Sequence, residues 1–319
     1  AGDGGGVYLW EARESRIEGT RIADNDGAYS GGGLFVIAQD FPLTIRDTVF
    51  LGNTAGRGGG VDLATNINAL VRFEDCKLIE NMADDNRGGG LYARLTANGL
   101  VLDMQRVEVD DNKAWDQGKG VYLDAAGSST PEASLVNVQF SANNEVDGAP
   151  TATEDAVLAI APLFTSLTVT MAHITAVPNQ TPSFHFMRPD DDPGRTLEVT
   201  AANVLISGFQ NGYAVEEAGS GEATLTHSNT LLYNVVNQHL VVAGTPTLTS
   251  IDPVIGDPLL DANYRLQTGS AAIDTGVDVG VTYDIDHGLR PFGSGPDIGM
   301  DEFGAIFADD FESGDTAAW

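Results

Sequence analysis

The sequence predicts an all-β chain coiled as a right-handed parallel β-helix, about 27–31 residues per rung, with an irregular C-terminal cap. Three observations predict it. A glycine phrase returns five times, as GGGVYLWEA, GGGLFVIAQ, GGGVDLATN, GGGLYARLT and GKGVYLDAA. The copies begin at Gly4, Gly31, Gly58, Gly88 and Gly118, with steps of 27, 27, 30 and 30 residues. Apolar residues follow each phrase at fixed offsets, and an asparagine closes each repeat at a fixed distance beyond them.

The first element of each rung is a short strand. Val7/Leu9, Leu34/Val36, Val61/Leu63, Leu91/Ala93 and Val121/Leu123 are apolar residues separated by one, the period of a strand with one buried face. After a variable stretch comes a second apolar group, for example Ile45, Thr48, Phe50 or Met104, Val107, Val109. Its spacing of three and then two predicts two short strands meeting at a bend, both facing inward. Such a chain returns to the same place every rung, about 4.8 Å above the last, and each rung touches only its neighbours.

The corners follow. Glycines stand where the chain turns sharply and a positive φ carries no steric cost. Asn25, Asn53, Asn81, Asn112 and Asn143 form a column three residues beyond the last apolar member. They are expected at a second corner, in the left-handed region that Asn tolerates, with amides hydrogen-bonded up and down the coil. Their role is read as structural. Cys76 falls in an inward column and is expected to be buried and inert.

The rhythm loosens after about residue 145, where SLTVTMAHIT, TLEVTAANVLIS and ATLTHSNTLLYN still read as rungs without the glycine phrase. The expected organisation is rungs over 1–251, a cap-like module over 252–304 and a short acidic, aromatic tail over 305–319. The tail carries Phe307, Phe311 and Trp319, which could cap the last rung or dock on a partner.

Sixteen Lys plus Arg against 46 Asp plus Glu give a formal net charge of −30, which repels nucleic acid and anionic lipid and draws cations. One cysteine excludes an intramolecular disulfide. No apolar run reaches the roughly 18 residues a membrane-spanning helix needs, so no membrane insertion is expected. The chain opens inside a repeat. Two expectations follow with equal weight: a leading segment lies upstream of the given sequence, or a second copy covers Val7 and Leu9 end to end and builds filaments.

The C-terminal module carries Ser270, Ala272, Ile273, Asp274 and Gly276, then Asp284, Asp286, Arg290 and Pro291, then Asp297, Ile298, Gly299 and Glu302. This pattern, Ser-x-Ala-Ile-Asp-x-Gly, Asp-x-Asp-Gly-x-x-Arg-Pro and Asp-Ile-Gly-x-x-Glu, resembles the terminal module of the bacterial β-helix proteins called choice-of-anchor Q. His287 departs from it, with Gly288 one place late. The resemblance covers about 50 residues. It implies a bacterial β-helix fixed to a cell, and no particular activity; the end of the chain, IFADDFESGDTAAW, is similar to short tails on exported proteins of Gram-negative bacteria.

Within that module Arg290 is expected to bind the nearby aspartates in a network. Asp284, Asp286 and Asp297 could alternatively hold a structural Ca²⁺, although their spacing matches neither an EF-hand nor the nonapeptide calcium repeat.

Enzyme chemistry needs two carboxylates converging on one groove. Asp84/Asp85, Asp110/Asp111 and Asp190 to Asp192 are the candidates, but the first two pairs occupy different columns. A lyase also needs clustered basic residues, and Arg87, Arg94 and Arg106 come nearest. Neither set is convincing, so no catalytic residue is assigned. Tyr8, Phe35, Tyr92 and Tyr122, interrupted by Asp62, form an outward aromatic row that either holds sugar rings or stiffens the wall. The expected function is a secreted or surface-attached structural or adhesive protein, partnered by itself or by other surface proteins. A polysaccharide-directed hydrolase or lyase, and a carbohydrate-binding module, are the alternatives.

Overall fold

The structure is a computed structural model that describes residues 4–304, except 38–39, 128, 147–154, 164, 178–182, 190 and 218. The tail over 305–319, with Phe307, Phe311 and Trp319, lies outside the described residues. The chain is all-β: parallel strands stack as a solenoid of about eight turns. The first sheet stacks nine strands, from Val7–Trp10 to Asn237–Ala243. The second runs from Ser15–Glu18 to Thr247–Ile251, and a third, of five strands, from Asp26–Ser30 to Asn144–Glu145.

Strand register reproduces the repeat. Val7, Leu34, Val61, Leu91 and Val121 are successive partners in the first sheet, and Leu9, Val36, Leu63, Ala93 and Leu123 form the next inward column. Both columns pack into one core with Ile45, Phe50, Phe73, Leu78, Met104 and Phe140 of the second sheet. Cys76 is in that core, its Sγ donating to the Ile45 carbonyl at 3.3 Å, and burial pushes its thiol up to about 11.

The bend in the second apolar group is a single residue in the left-handed region. Asp75, Arg106, Asn137, His173 and Asn203 all have φ between 52° and 56° inside long strands such as Val71–Ile79 and Gly99–Asp110. One αL residue turns the strand without breaking its ladder, which produces the spacing of three and then two.

The asparagine corner differs from the expectation in one respect. Asn25, Asn53, Asn81, Asn112 and Asn143 are not the left-handed residues; the residue before each one is. Asp24, Gly52, Glu80, Asp111 and Ala142 have φ between 46° and 61°. The asparagines stand there for their amides, not for their backbone tolerance. Among the described residues the third sheet ends at Asn144–Glu145 and the asparagine ladder at Asn143, and the later rungs show two sheets. This is the structural form of the loosened rhythm.

The segment 252–304 does not sit over the last rung as a cap would. It folds back along the bends of the second sheet. Asn229 Nδ2 donates to Thr275 O at 2.9 Å, Asn203 Nδ2 to Val277 O at 2.8 Å and Asn137 Nδ2 to Tyr283 O at 2.7 Å. His287 reaches Asp75 at 2.9 Å. Left-handed bend residues aim their side chains outward, which offers a column of polar groups to an irregular strap. Among the described residues no strand pairs beyond Asn237–Ala243 or Thr247–Ile251, and Val241 and Ile251 on these edges are exposed.

Candidate functional site

The aromatic row lies on the outer side of the first sheet. Tyr8, Phe35, Asp62, Tyr92 and Tyr122 are successive register partners, and Ala159, Phe186, Ala214 and Leu240 continue the column. The row is not an open strip. Tyr8 is 48% exposed, but Phe35, Tyr92 and Tyr122 are buried.

Arginines roof it. Arg57 lies over the Tyr92 ring at 4.3 Å and Arg87 over the Tyr122 ring at 4.9 Å. The two tyrosine rings stack at 5.5 Å with planes 6° apart. Each guanidinium is fixed by a carboxylate: Arg57 Nε donates to Asp62 at 2.8 Å and Arg87 Nε to Asp116 at 2.6 Å. Arg87 Nη1 also donates to the Tyr122 hydroxyl at 2.8 Å. Asp124 receives Tyr92 Oη at 3.0 Å and Arg94 Nε at 2.6 Å. Asp62, which interrupts the aromatic row, is therefore the anchor of its roof. Cation–π stacking and charge-assisted hydrogen bonds replace water over the rings.

Sequence reasoning missed this roof. Its signal is the arginine immediately before the glycine phrase, Arg57 before Gly58 and Arg87 before Gly88. Each reaches the tyrosine of the following rung, 35 residues on in sequence.

Beside the roof opens a groove of about 400 Å³, lined by Arg87, Gln117, Tyr122, Leu163, Arg188 and Asp191 among others. Burial pushes the Tyr122 hydroxyl up to about 12 and raises that of Tyr92 as well. Both phenols therefore stay protonated at neutral pH and supply no general base.

The residues weighed for catalysis do not meet. Arg106 is at a second-sheet bend, bound to Asp75 at 2.6 Å and Glu74 at 2.7 Å, away from Arg94 on the first sheet and Arg87 just before it. Asp84 and Asp85 are exposed, while Asp110 accepts the Ser141 hydroxyl at 2.6 Å and Asp111 lies 4.0 Å from Lys113. Asp191 pairs loosely with Arg188 at 3.8 Å, and Asp190 lies outside the described residues.

Asp284, Asp286 and Asp297 turn to different partners. Asp284 Oδ1 accepts the amides of Asp286 and Gly288 at 2.9 and 2.6 Å, and its Oδ2 that of Glu302 at 3.1 Å. Asp297 accepts the amides of Asp274 and Phe303, both at 2.7 Å. Asp286 turns to Arg265, 2.8 Å away. Among the described residues no group of three or more His, Cys, Asp or Glu side chains is placed to hold a metal. The carboxylates instead shape the strap by collecting backbone N–H groups. Arg290 is buried beneath them. It contacts His173, donates to the Asp297 carbonyl at 2.9 Å and faces Glu302 at 3.6 Å, so its carboxylate partner is Glu302 and not the three aspartates.

The asparagine column makes an unbroken ladder. Nδ2 of Asn25, Asn53, Asn81 and Asn112 donates to Oδ1 of the next asparagine at 2.9 to 3.0 Å. The second Nδ2 proton of Asn53, Asn81, Asn112 and Asn143 goes to the carbonyls of Ile22, Phe50, Leu78 and Val109. The column thus holds rungs together.

No family model and no solved structure matches the chain. A curated relative, "Probable autotransporter YfaL" of Escherichia coli (strain K12), is 29% identical over 124 residues. The match covers 35% of this chain and 10% of that relative, so the chain spans about a tenth of the relative's length.

Proposed function

We propose that the chain is a secreted or cell-surface parallel β-solenoid of a Gram-negative bacterium, serving as a scaffold for display, adhesion or extracellular assembly and not as an enzyme. One observation carries the reading: the Asp, Arg and Tyr side chains over the outer face of the first sheet are tied to each other. Arg57–Asp62, Arg87–Asp116 and Arg94–Asp124 act as struts of the wall. The partial likeness to a probable autotransporter supports an exported setting. So does the resemblance of the C-terminal segment to choice-of-anchor Q proteins. The net charge of −30 argues against nucleic acid as a partner. The open edge strands support pairing with a second copy or another surface protein.

Incubation of the purified chain with neutral and uronic-acid polysaccharides tests the non-enzymatic part. No new reducing ends and no unsaturated products are expected; turnover of any of them overturns it.

A second reading rests on the groove beside Tyr122, where Arg87, Arg188 and Gln117 offer donors next to the apolar Leu163. Such a mixture suits a sugar. Retention of the chain in polysaccharide affinity gels, lost in Arg188→Ala, would favour carbohydrate binding. Equal migration with and without polysaccharide would remove it.

A further inference from the structure

The fifth glycine phrase differs from the other four at its second position, where Lys119 stands. In the others that position meets backbone of the next rung. A Cβ on Gly32 would lie 2.4 Å from the Gly59 carbonyl oxygen, and one on Gly89 2.3 Å from that of Lys119. Above Lys119 the spacing of the repeat lengthens. The first-sheet partner of Val121 is Leu158, 37 residues on, where Leu91 and Val121 are 30 apart.

Lys119 is completely buried. Its Nζ lies 3.1 Å from Asp155 Oδ1, contacts Glu145 Oε2, and donates to the carbonyls of Asp116 and, at 3.3 Å, Ala114. An amine and two carboxyl groups are thus pressed together where little water reaches. Fixed contact supplies the proximity that an amide condensation needs.

We propose that Lys119 and Asp155 join through a side-chain amide bond, with Glu145 carrying the proton. The Lys119 ammonium passes one proton to the Asp155 carboxylate, Nζ attacks Cγ, and Glu145 takes a second proton from nitrogen. It returns that proton to the departing hydroxyl, so the Cγ–O bond breaks and one water leaves. Of the three protons of the original ammonium, one stays on the amide nitrogen and two leave with the oxygen. No oxidant, metal or cofactor enters. Glu145 suits the role: it contacts the Lys119 Nζ, and burial holds its carboxyl above the ordinary value, with Lys119 opposing. The bond would bolt the last glycine corner to the start of the strand Ala156–Ile160, just beyond the last described strand of the third sheet.

Intact-mass spectrometry of the folded chain, with Lys119→Arg and Glu145→Gln alongside, tests this. The wild type should be lighter than its sequence by one water, and trypsin acting on the unfolded chain should not cut after Lys119. Fragmentation should place the branch between Lys119 and Asp155, which separates the bond from a succinimide elsewhere. Lys119→Arg keeps the positive charge and should show full mass; Glu145→Gln should show full mass or slow loss of water. Circular dichroism melts establish that the variants fold. Wild type at full mass, cut after Lys119, overturns the bond and leaves a buried ion pair. A bond formed equally fast in Glu145→Gln overturns the role of Glu145.

Discussion

Asn81 gives one Nδ2 proton to Asn112 Oδ1 at 3.0 Å and the other to the Phe50 carbonyl at 3.0 Å. Its own Oδ1 receives both the Nδ2 and the backbone N–H of Asn53, at 3.0 and 3.1 Å. Every donor and acceptor position of a fully buried amide is in use. Because each rung contacts only its neighbours, such a ladder is what couples one turn to the next on this corner.

Asn81→Ala strands the Asn53 donors in the interior. Each stranded group costs roughly 1–3 kcal/mol. Asn25 is only partly buried and stands at the end of the ladder, so Asn25→Ala should cost less. Urea melts of the two variants check the order. Equal small losses would place the column in solvent.

The glycine phrase makes a second contrast. A Cβ on Gly89 would lie 2.4 Å from the Lys113 carbonyl oxygen as well as against Lys119, so backbone must move. Gly99 has φ +76° but nothing within 4 Å of its Cβ position. Gly99→Ala should cost about 1 kcal/mol for its left-handed backbone. Gly89→Ala should cost clearly more. Thermal melts that rank them the other way would show that the rungs stack less tightly at the phrase.

How much of this was legible follows from where each signal resides. The period, the inward pairs and the asparagine column repeat at fixed offsets, so alternation and spacing place Val61, Leu91 and Asn81 without coordinates. The left-handed residue of the corner escaped because Asp24, Gly52, Glu80, Asp111 and Ala142 share no residue type. Backbone geometry imposed by the ladder sets that conformation, not propensity. The burial of Tyr92 and Tyr122 escaped because the alternation rule decides which face a side chain takes, not what lies over that face. Their cover comes from Arg57 and Arg87, one rung away. The path of 252–304 escaped for a similar reason. An irregular segment has no period, and its route depends on side chains such as Asn137 and Asn203 that a sequence scan reads as ordinary bend residues.

The roof supplies the third prediction. Tyr122→Phe deletes the acceptor for Arg87 Nη1 and should cost about 1 kcal/mol. Arg87→Ala removes the cation over the ring and leaves Asp116 without this partner, and should cost more. It should also make Tyr122 accessible to nitration. A Tyr122 that stays unreactive in Arg87→Ala would mean that the flanking segments, not the arginine, cover the ring.

The inward column turns polar in the last rungs, where Leu158 is followed by His185, Tyr213 and His239. Burial lowers His185 to about 3, and burial followed by the neighbouring His239 lowers His227 to about 4. His227 and His239 face each other, Nε2 to Nε2, at 2.7 Å. A folded-state value below the ordinary 6.5 means that the unfolded chain binds these protons first. Stability from the neutral imidazoles is therefore complete above pH 6.5 and lost as pH falls towards 4 and then 3. Asp297, raised to about 6 by burial, works in the opposite sense, favouring the folded state as pH falls below 6. His185→Leu extends the aliphatic column, should gain about 1 kcal/mol at pH 7 by removing a buried imidazole without a hydrogen-bond partner, and should flatten the acid limb. Melting curves between pH 7 and 4 with an unchanged acid limb would assign that limb to other groups.

The central claim is that the coil is a wall carried outside the cell. Brief protease treatment of intact cells that make the protein, followed by mass spectrometry of the released peptides, tests it most directly. The account predicts peptides of this chain among those shaved from intact cells, at levels that lysis does not raise. Peptides that appear only after lysis would contradict it.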